Sequence, residues 1–199
     1  MKASDAKKWR QKGFSLTELL VVLLILAILV VLALPQMISS RRAFRFTGLQ
    51  RQIASTLSQA RQEAMSQRVP ITFRYDNSAK KIIIHGGKFG ALGDTNNQSV
   101  EMSGSGINAN EIVYGRPSGA PTSALADTAN LTPITANAAT ITFYPDGSVL
   151  DAANLPKNSA LFFYNRLHSA DMAFAVSVLG AGGRVKVWRY NKKSKSYVE

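Results

Sequence analysis

Polarity along the chain changes character twice. From Phe14 to Leu34 the residues are apolar except Ser15, Thr17 and Glu18, and from Leu19 to Leu34 no side chain is polar. Counted from Phe14 the run is roughly 21 residues, or about 31 Å at helical rise, close to the hydrocarbon thickness of a bilayer. A second pattern follows, with steps of three or four. Phe46, Leu49, Ile53, Leu57, Ala60 and Ala64 form one apolar stripe, while Arg51, Gln52, Gln59, Arg61 and Gln62 take other faces. Pro35 separates the two patterns and is expected to kink the helix, because its nitrogen cannot donate a backbone hydrogen bond. Gly48 costs about 1 kcal/mol relative to alanine, yet the stripe continues past it.

After Val69-Pro70 the period drops to two. Ile71-Thr72-Phe73-Arg74-Tyr75 alternates, Asp76-Asn77-Ser78 offers a turn, and Lys81-Ile82-Ile83-Ile84-His85 returns, which predicts a hairpin. Residues Gly86 to Gly106 are rich in Gly, Asn and Ser and read as loop. Glu111 to Tyr114 is a short strand candidate. Arg116 to Ala139 is dominated by Ala, Thr, Pro and Asn and reads as a long surface loop. Strand signals return at Ala139 to Tyr144, closed by the turn Pro145-Asp146-Gly147-Ser148, and again at Ala160 to Asn165, Ala173 to Leu179 and Arg184 to Tyr190.

One long helix followed only by strands predicts an α+β fold. The first half of the N-terminal helix spans a membrane, and the second half packs on an antiparallel β-sheet or β-sandwich head. The expected divisions are a cytoplasmic leader peptide over residues 1–13, a membrane and core helix over 14–35, an amphipathic extension over 36–68, and a β-rich head over 69–199.

Charge sharpens this picture. Of 24 Lys and Arg against 12 Asp and Glu, Lys2, Lys7, Lys8, Arg10 and Lys12 flank the apolar run on its N-terminal side, against Asp5 alone. The positive-inside tendency leaves that flank in the cytoplasm, although Arg41, Arg42 and Arg45 on the far side weaken the asymmetry. A secretory signal peptide has a shorter apolar core and ends in a small-residue cleavage site, whereas this run ends in Leu-Ala-Leu-Pro-Gln. Cysteine is absent, so the head is held without disulfides.

Glu18 is the anomaly, since an acid inside a bilayer is expensive and calls for a partner. Cleavage between Gly13 and Phe14 would create an α-amino group, largely cationic near neutral pH. Residues i and i+4 share a helical face, so Glu18 could neutralise its own chain's amine or that of a neighbouring subunit. The second pairing would also fix the axial register between apolar helices.

Lys12-Gly13-Phe14-Ser15-Leu16-Thr17-Glu18 followed by the apolar run resembles the class III signal of type IV pilins and type II secretion pseudopilins. The resemblance implies cleavage after Gly13 by a membrane prepilin peptidase, N-methylation of Phe14, and a role for Glu18 in assembly. It further implies packing against other pilins or pseudopilins through the N-terminal helix. Ile141 to Ser148, Ala175 to Leu179 and Gly183-Arg184-Val185-Lys186-Val187 resemble the head of the GspH/FimT type. The implied protein is a minor pseudopilin of a type II secretion pseudopilus or type IV pilus. It would be a single-pass protein of the inner membrane, with its N terminus cytoplasmic and its head periplasmic or extracytoplasmic. On this reading the part of the helix before Gly48 packs between subunits and the part after it packs on the head.

No enzyme site emerges from the sequence. His85 and His168 are isolated, Gly104-Ser105-Gly106 lacks a nucleophile elbow's flanks, and Gly180-Ala181-Gly182-Gly183 lacks a phosphate loop's lysine. No cofactor or metal is expected. The last strand holds the remaining chemistry. Arg184, Lys186, Trp188 and Tyr190 share one face at period two, Val185, Val187 and Arg189 the other. Cations that neutralise phosphates beside aromatics that stack on bases form a candidate DNA-binding surface of Arg184, Lys186, Trp188 and Arg189. The flanking glycines would let a phosphate backbone approach. Some FimT-type minor pilins bind DNA during uptake through a Gly-Arg-any-Arg motif, which Gly183-Arg184-Val185-Lys186 resembles with lysine in the last place. Lysine keeps the charge but loses the planar fork. The competing reading is an edge protected by lysines, followed by a solvated tail.

Overall fold

The computed structural model describes residues 15–102, 108–167 and 172–199, without the side chains of residues 34–40 and 42. The chain divides into two compact units, Met1–Arg41 and Arg42–Glu199. Helix α1 (Leu16–Gln67) contributes its first part to one unit and the rest to the other, and it runs without interruption through Pro35. One missing backbone donor does not end the helix there.

In the first unit, Leu16–Ala33 is an 18-residue stretch long and apolar enough to cross a membrane, and none of it is buried. Its leucines, valines and isoleucines have no protein to pack against within the described chain.

The second unit is the head. Phe46, Leu49, Ile53, Leu57, Ala60 and Ala64 are all buried, so the stripe read at steps of three and four is the inward face of α1. It packs on two antiparallel sheets. The first has four strands in the order β3-β2-β1-β6, built from β1 (Ile71–Asp76), β2 (Lys81–His85), β3 (Gln98–Glu101) and β6 (Ala138–Phe143). The second has six. Its order is β10-β9-β8-β7-β4, from β4 (Ile112–Tyr114), β7 (Ser159–Asn165), β8 (Ala173–Val178), β9 (Val185–Asn191) and β10 (Ser196–Val198), with β5 (Asn130–Leu131) pairing in parallel with β7.

A single core joins the three layers. It holds the helix stripe, Phe73, Tyr75, Ile82 and Ile84 from the first sheet, and Leu161, Phe163, Phe174 and Val176 from the second. The hairpin β1–β2 has the register Phe73↔Ile84 and Tyr75↔Ile82, which puts those four side chains on the core face. The α+β expectation therefore holds, with differences in the loops. Gly86 to Gly106 contains the edge strand β3, tied to α1 by paired amides of Gln59 and Gln98 at 2.8 Å. The tail forms β10 instead of running free, folded back by a turn in which Asn191 Oδ1 accepts from the Lys193 backbone N–H at 2.9 Å.

The second sheet is buried on both faces. Its outer face carries a second cluster of Ala160, Phe162, Ala175 and Trp188, covered by Leu125 and Ala129. The segment read as a long surface loop is thus a strap over the sheet. Buried strands need apolar residues on both sides, which explains the unbroken burial of β8.

Candidate functional site

The N-terminal region and the C-terminal strand carry the sequence's candidate residues. Gly13 and Phe14 lie outside the described residues. The backbone N–H of Leu19 donates to the Ser15 carbonyl at 3.1 Å, and that of Glu18 donates to Ser15 Oγ at 3.2 Å, so Ser15 is the N-cap of α1. Glu18 occupies the third helical position, where the helix dipole favours an acid. Ser15-Leu16-Thr17-Glu18 has the spacing of a capping box, a signal the pattern reading passed over. The described helix begins at Leu16, so the shared helical face of Phe14 and Glu18 falls outside it. Glu18 itself is exposed, as are its apolar neighbours.

On β9 the expected open face is closed. Trp188 is only 4% exposed. Its Nε1 donates to Ser177 Oγ at 2.8 Å, and Ser177 Oγ in turn meets Asp127 Oδ2 of the strap. Asn158 Nδ2 donates to the Asp127 carbonyl at 3.0 Å and to Thr128 Oγ1 at 2.6 Å, fastening the strap from a second direction. Lys186 Nζ lies 2.7 Å from Glu199 Oε2, and Tyr190 packs against Tyr197 at 5.2 Å between ring centroids. Arg184, just before β9, and Arg189, within it, remain exposed, and the alternation puts them on opposite faces. The ring of Trp188 therefore has no free face for a base, because the strap and β10 cover the side of the sheet that period two had assigned to solvent.

The strap's other end is held by Arg116, whose guanidinium lies 4.3 Å from the centroid of the Phe162 ring. Burial pushes the Arg116 pKa down and the Tyr197 phenol up. Asp127 and Ser177 went unnoticed in the sequence, since fifty residues separate them and no local spacing links them.

Gly183 also serves packing. Its φ is +59°, and a Cβ there would lie 2.0 Å from the Gly147 carbonyl oxygen and 2.9 Å from Arg61 Cδ. The missing side chain makes room for the neighbouring turn rather than for a phosphate, while Gly182 faces open space.

His85 is half-buried, and burial, with the Arg74 charge behind it, pushes its pKa down. His168 lies outside the described residues. Among the described residues no three His, Asp or Glu side chains converge in a way that could hold a metal ion. A cavity of about 480 Å³ lies where the loop carrying Leu92 and Asp94 meets Arg74 and Lys81 on the first sheet. Asp94 Oδ2 is already capped there by the Ala91 backbone N–H at 2.6 Å.

An exposed membrane-length helix with an acid in its first turn, joined in sequence to a β-rich head, is the plan of a pilin-type subunit. Residues 10–34 match the prokaryotic N-terminal methylation motif. Residues 49–182 match the family described as type II transport protein GspH, and the chain belongs to that family. Its members are structural subunits, and the apolar stretch Leu16–Ala33 is long and apolar enough to serve as a single membrane anchor. Two crystal structures of the type IV minor pilin FimU of Pseudomonas aeruginosa are similar to 77% of this chain. They are matched over 92% and 97% of their own length, at 16% and 15% identity and TM-scores of 0.46 and 0.44. Comparison with curated proteins gives no match.

Proposed function

We propose that this chain is a prepilin that becomes a minor subunit of a type II secretion pseudopilus or a type IV pilus. Prepilin peptidase removes residues 1–13 by cutting between Gly13 and Phe14, and Phe14 is N-methylated. The protein waits in the inner membrane with its N terminus cytoplasmic and its head outside. It is then drawn into a filament whose core is made of apolar helices. Glu18 pairs with an α-amine, its own or a neighbour's, and sets axial register. No covalent chemistry is asked of the head.

The observation that supports this best is the Leu16–Ala33 stretch, unburied throughout and directly overlapping the methylation motif. So much apolar surface needs lipid first and other apolar helices afterwards. The test is the intact mass of the protein extracted from membranes. The expected species begins at a methylated Phe14, and a working form that keeps the thirteen-residue extension overturns the proposal.

DNA capture is the alternative, and the exposed Arg184 and Arg189 favour it. With Trp188 buried, such binding would rest on phosphate contacts and would be steeply salt-dependent. Retention of labelled DNA by the purified protein across a salt series tests it. Salt-sensitive binding lost on joint replacement of Arg184 and Lys186 supports capture, and no binding at low salt removes it.

A further inference from the structure

The head has a groove that the described residues leave unfilled. It holds about 160 Å³ and lies between the start of the head's helix and the ends of β8 and β9, formed by Ala43, Phe46, Gln50, Phe174, Arg189 and Tyr190. That volume is close to that of a cavity that admits a benzene ring, so one apolar side chain fits. Phe46 and Phe174 meet edge to face at 5.0 Å and give the groove apolar walls.

One charged group there wants a partner. Arg189 is exposed at the rim and has no carboxylate within ion-pair reach among the described residues. Beside the groove, one step of about 100° round the helix from Ala43, Phe44 is 75% exposed. Gly48, one turn on from Phe44, has nothing near its absent side chain. A bare glycine one turn after an exposed ring leaves room for another backbone to approach, and aromatic anchors of this kind dominate interface energetics.

We infer that this surface docks a different pilin-type subunit, which inserts an apolar side chain into the groove and sets a carboxylate against Arg189. This rests on the filament reading, in which neighbours are brought alongside the helix that leads into Ala43. Charge argues against a second copy of this chain. Among the described residues of the head, every acid except Glu101 already accepts a hydrogen bond from within the chain. Even without residues 1–13 the chain keeps 19 bases against 11 acids and has little to offer Arg189, whereas a more acidic subunit would.

The experiment uses the full-length protein in cells that assemble the filament, with the photocrosslinking substitution Phe44→p-benzoylphenylalanine. The expected adduct is with a pilin-type subunit of different sequence, attached at a segment with an apolar residue close to Asp or Glu. Its yield should fall about tenfold with Arg189→Glu and persist with Arg189→Lys. Adducts only with lipid or with another copy of this chain overturn the inference, as does a yield indifferent to Arg189→Glu. Incorporation into sheared filaments is measured in the same samples. Incorporated protein without the adduct defeats the groove alone; unsubstituted protein that is never incorporated defeats the filament reading and the groove with it.

Discussion

The indole of Trp188 and the hydroxyl of Ser177 sit diagonally across β9 and β8 and share a 2.8 Å hydrogen bond. Ser177 is fully buried, and its Oγ accepts from the indole while donating to Asp127, which carries the contact to the strap. Trp188→Phe keeps most of the ring and leaves Ser177 Oγ still donating to Asp127, so it removes one hydrogen bond and should cost about 0.5–1.5 kcal/mol. Trp188→Ala should cost about 3–5 kcal/mol. Urea unfolding of the full-length protein in detergent, in a Trp9→Phe background, gives both values. The same background tests accessibility: Trp188 fluorescence should resist acrylamide quenching and stay unchanged when DNA is added.

Leu57 and Leu24 belong to one helix but to different solvents. Leu57 is fully buried in the head, while Leu24 is exposed in the apolar stretch. Leu57→Ala should destabilise the head by about 2–5 kcal/mol. Leu24→Ala should leave the head's unfolding midpoint unchanged within about 0.5 kcal/mol, since it removes no contact there.

Glu18→Ala should leave cleavage after Gly13 largely intact and block incorporation into filaments. On the proposed reading the carboxylate is required only when helices must be held in register. Comparing N-terminal masses with the sheared filament fraction separates the two steps, and normal incorporation of the variant would defeat the register argument.

Gly183 and Gly182 are neighbours with opposite tolerance. Gly183→Ala must take a left-handed backbone, at about 1–2 kcal/mol, and also push against the Gly147 carbonyl. Gly182→Ala meets open space and should change stability by less than about 0.5 kcal/mol. Parallel denaturant titrations of the two variants give the comparison.

His85 supplies a pH signature. With its folded pKa held below the ordinary value of 6.5, the folded protein binds fewer protons than the unfolded chain in that window. Its contribution is therefore fully present above the ordinary value and lost as pH falls through the folded one. His85→Gln should flatten that slope, as read from urea midpoints measured between about pH 7.5 and pH 5.

The sequence by itself determined where the helix lies, which of its faces turns inward, and where seven of the strands run, from β1 and β2 through β9. These are matters of local period: Phe46 to Ala64 recur at helical steps, and Ile71 to Tyr75 alternate, whatever else the chain does. It also fixed the membrane-length run and its acid, since both are properties of contiguous residues. The edges escaped it. Gln98 to Glu101 and Ser196 to Val198 have no apolar period, and they are strands because a neighbouring strand offers them backbone partners. Tertiary structure alone decided the fate of Trp188. Period two correctly placed it opposite Val187, but which face meets solvent depends on the strap, and the strap is held by Asp127, Asn158 and Ser177 from separate parts of the chain. A local pattern reports that a strand has two sides; only contacts between distant residues decide whether one side, or both, are buried.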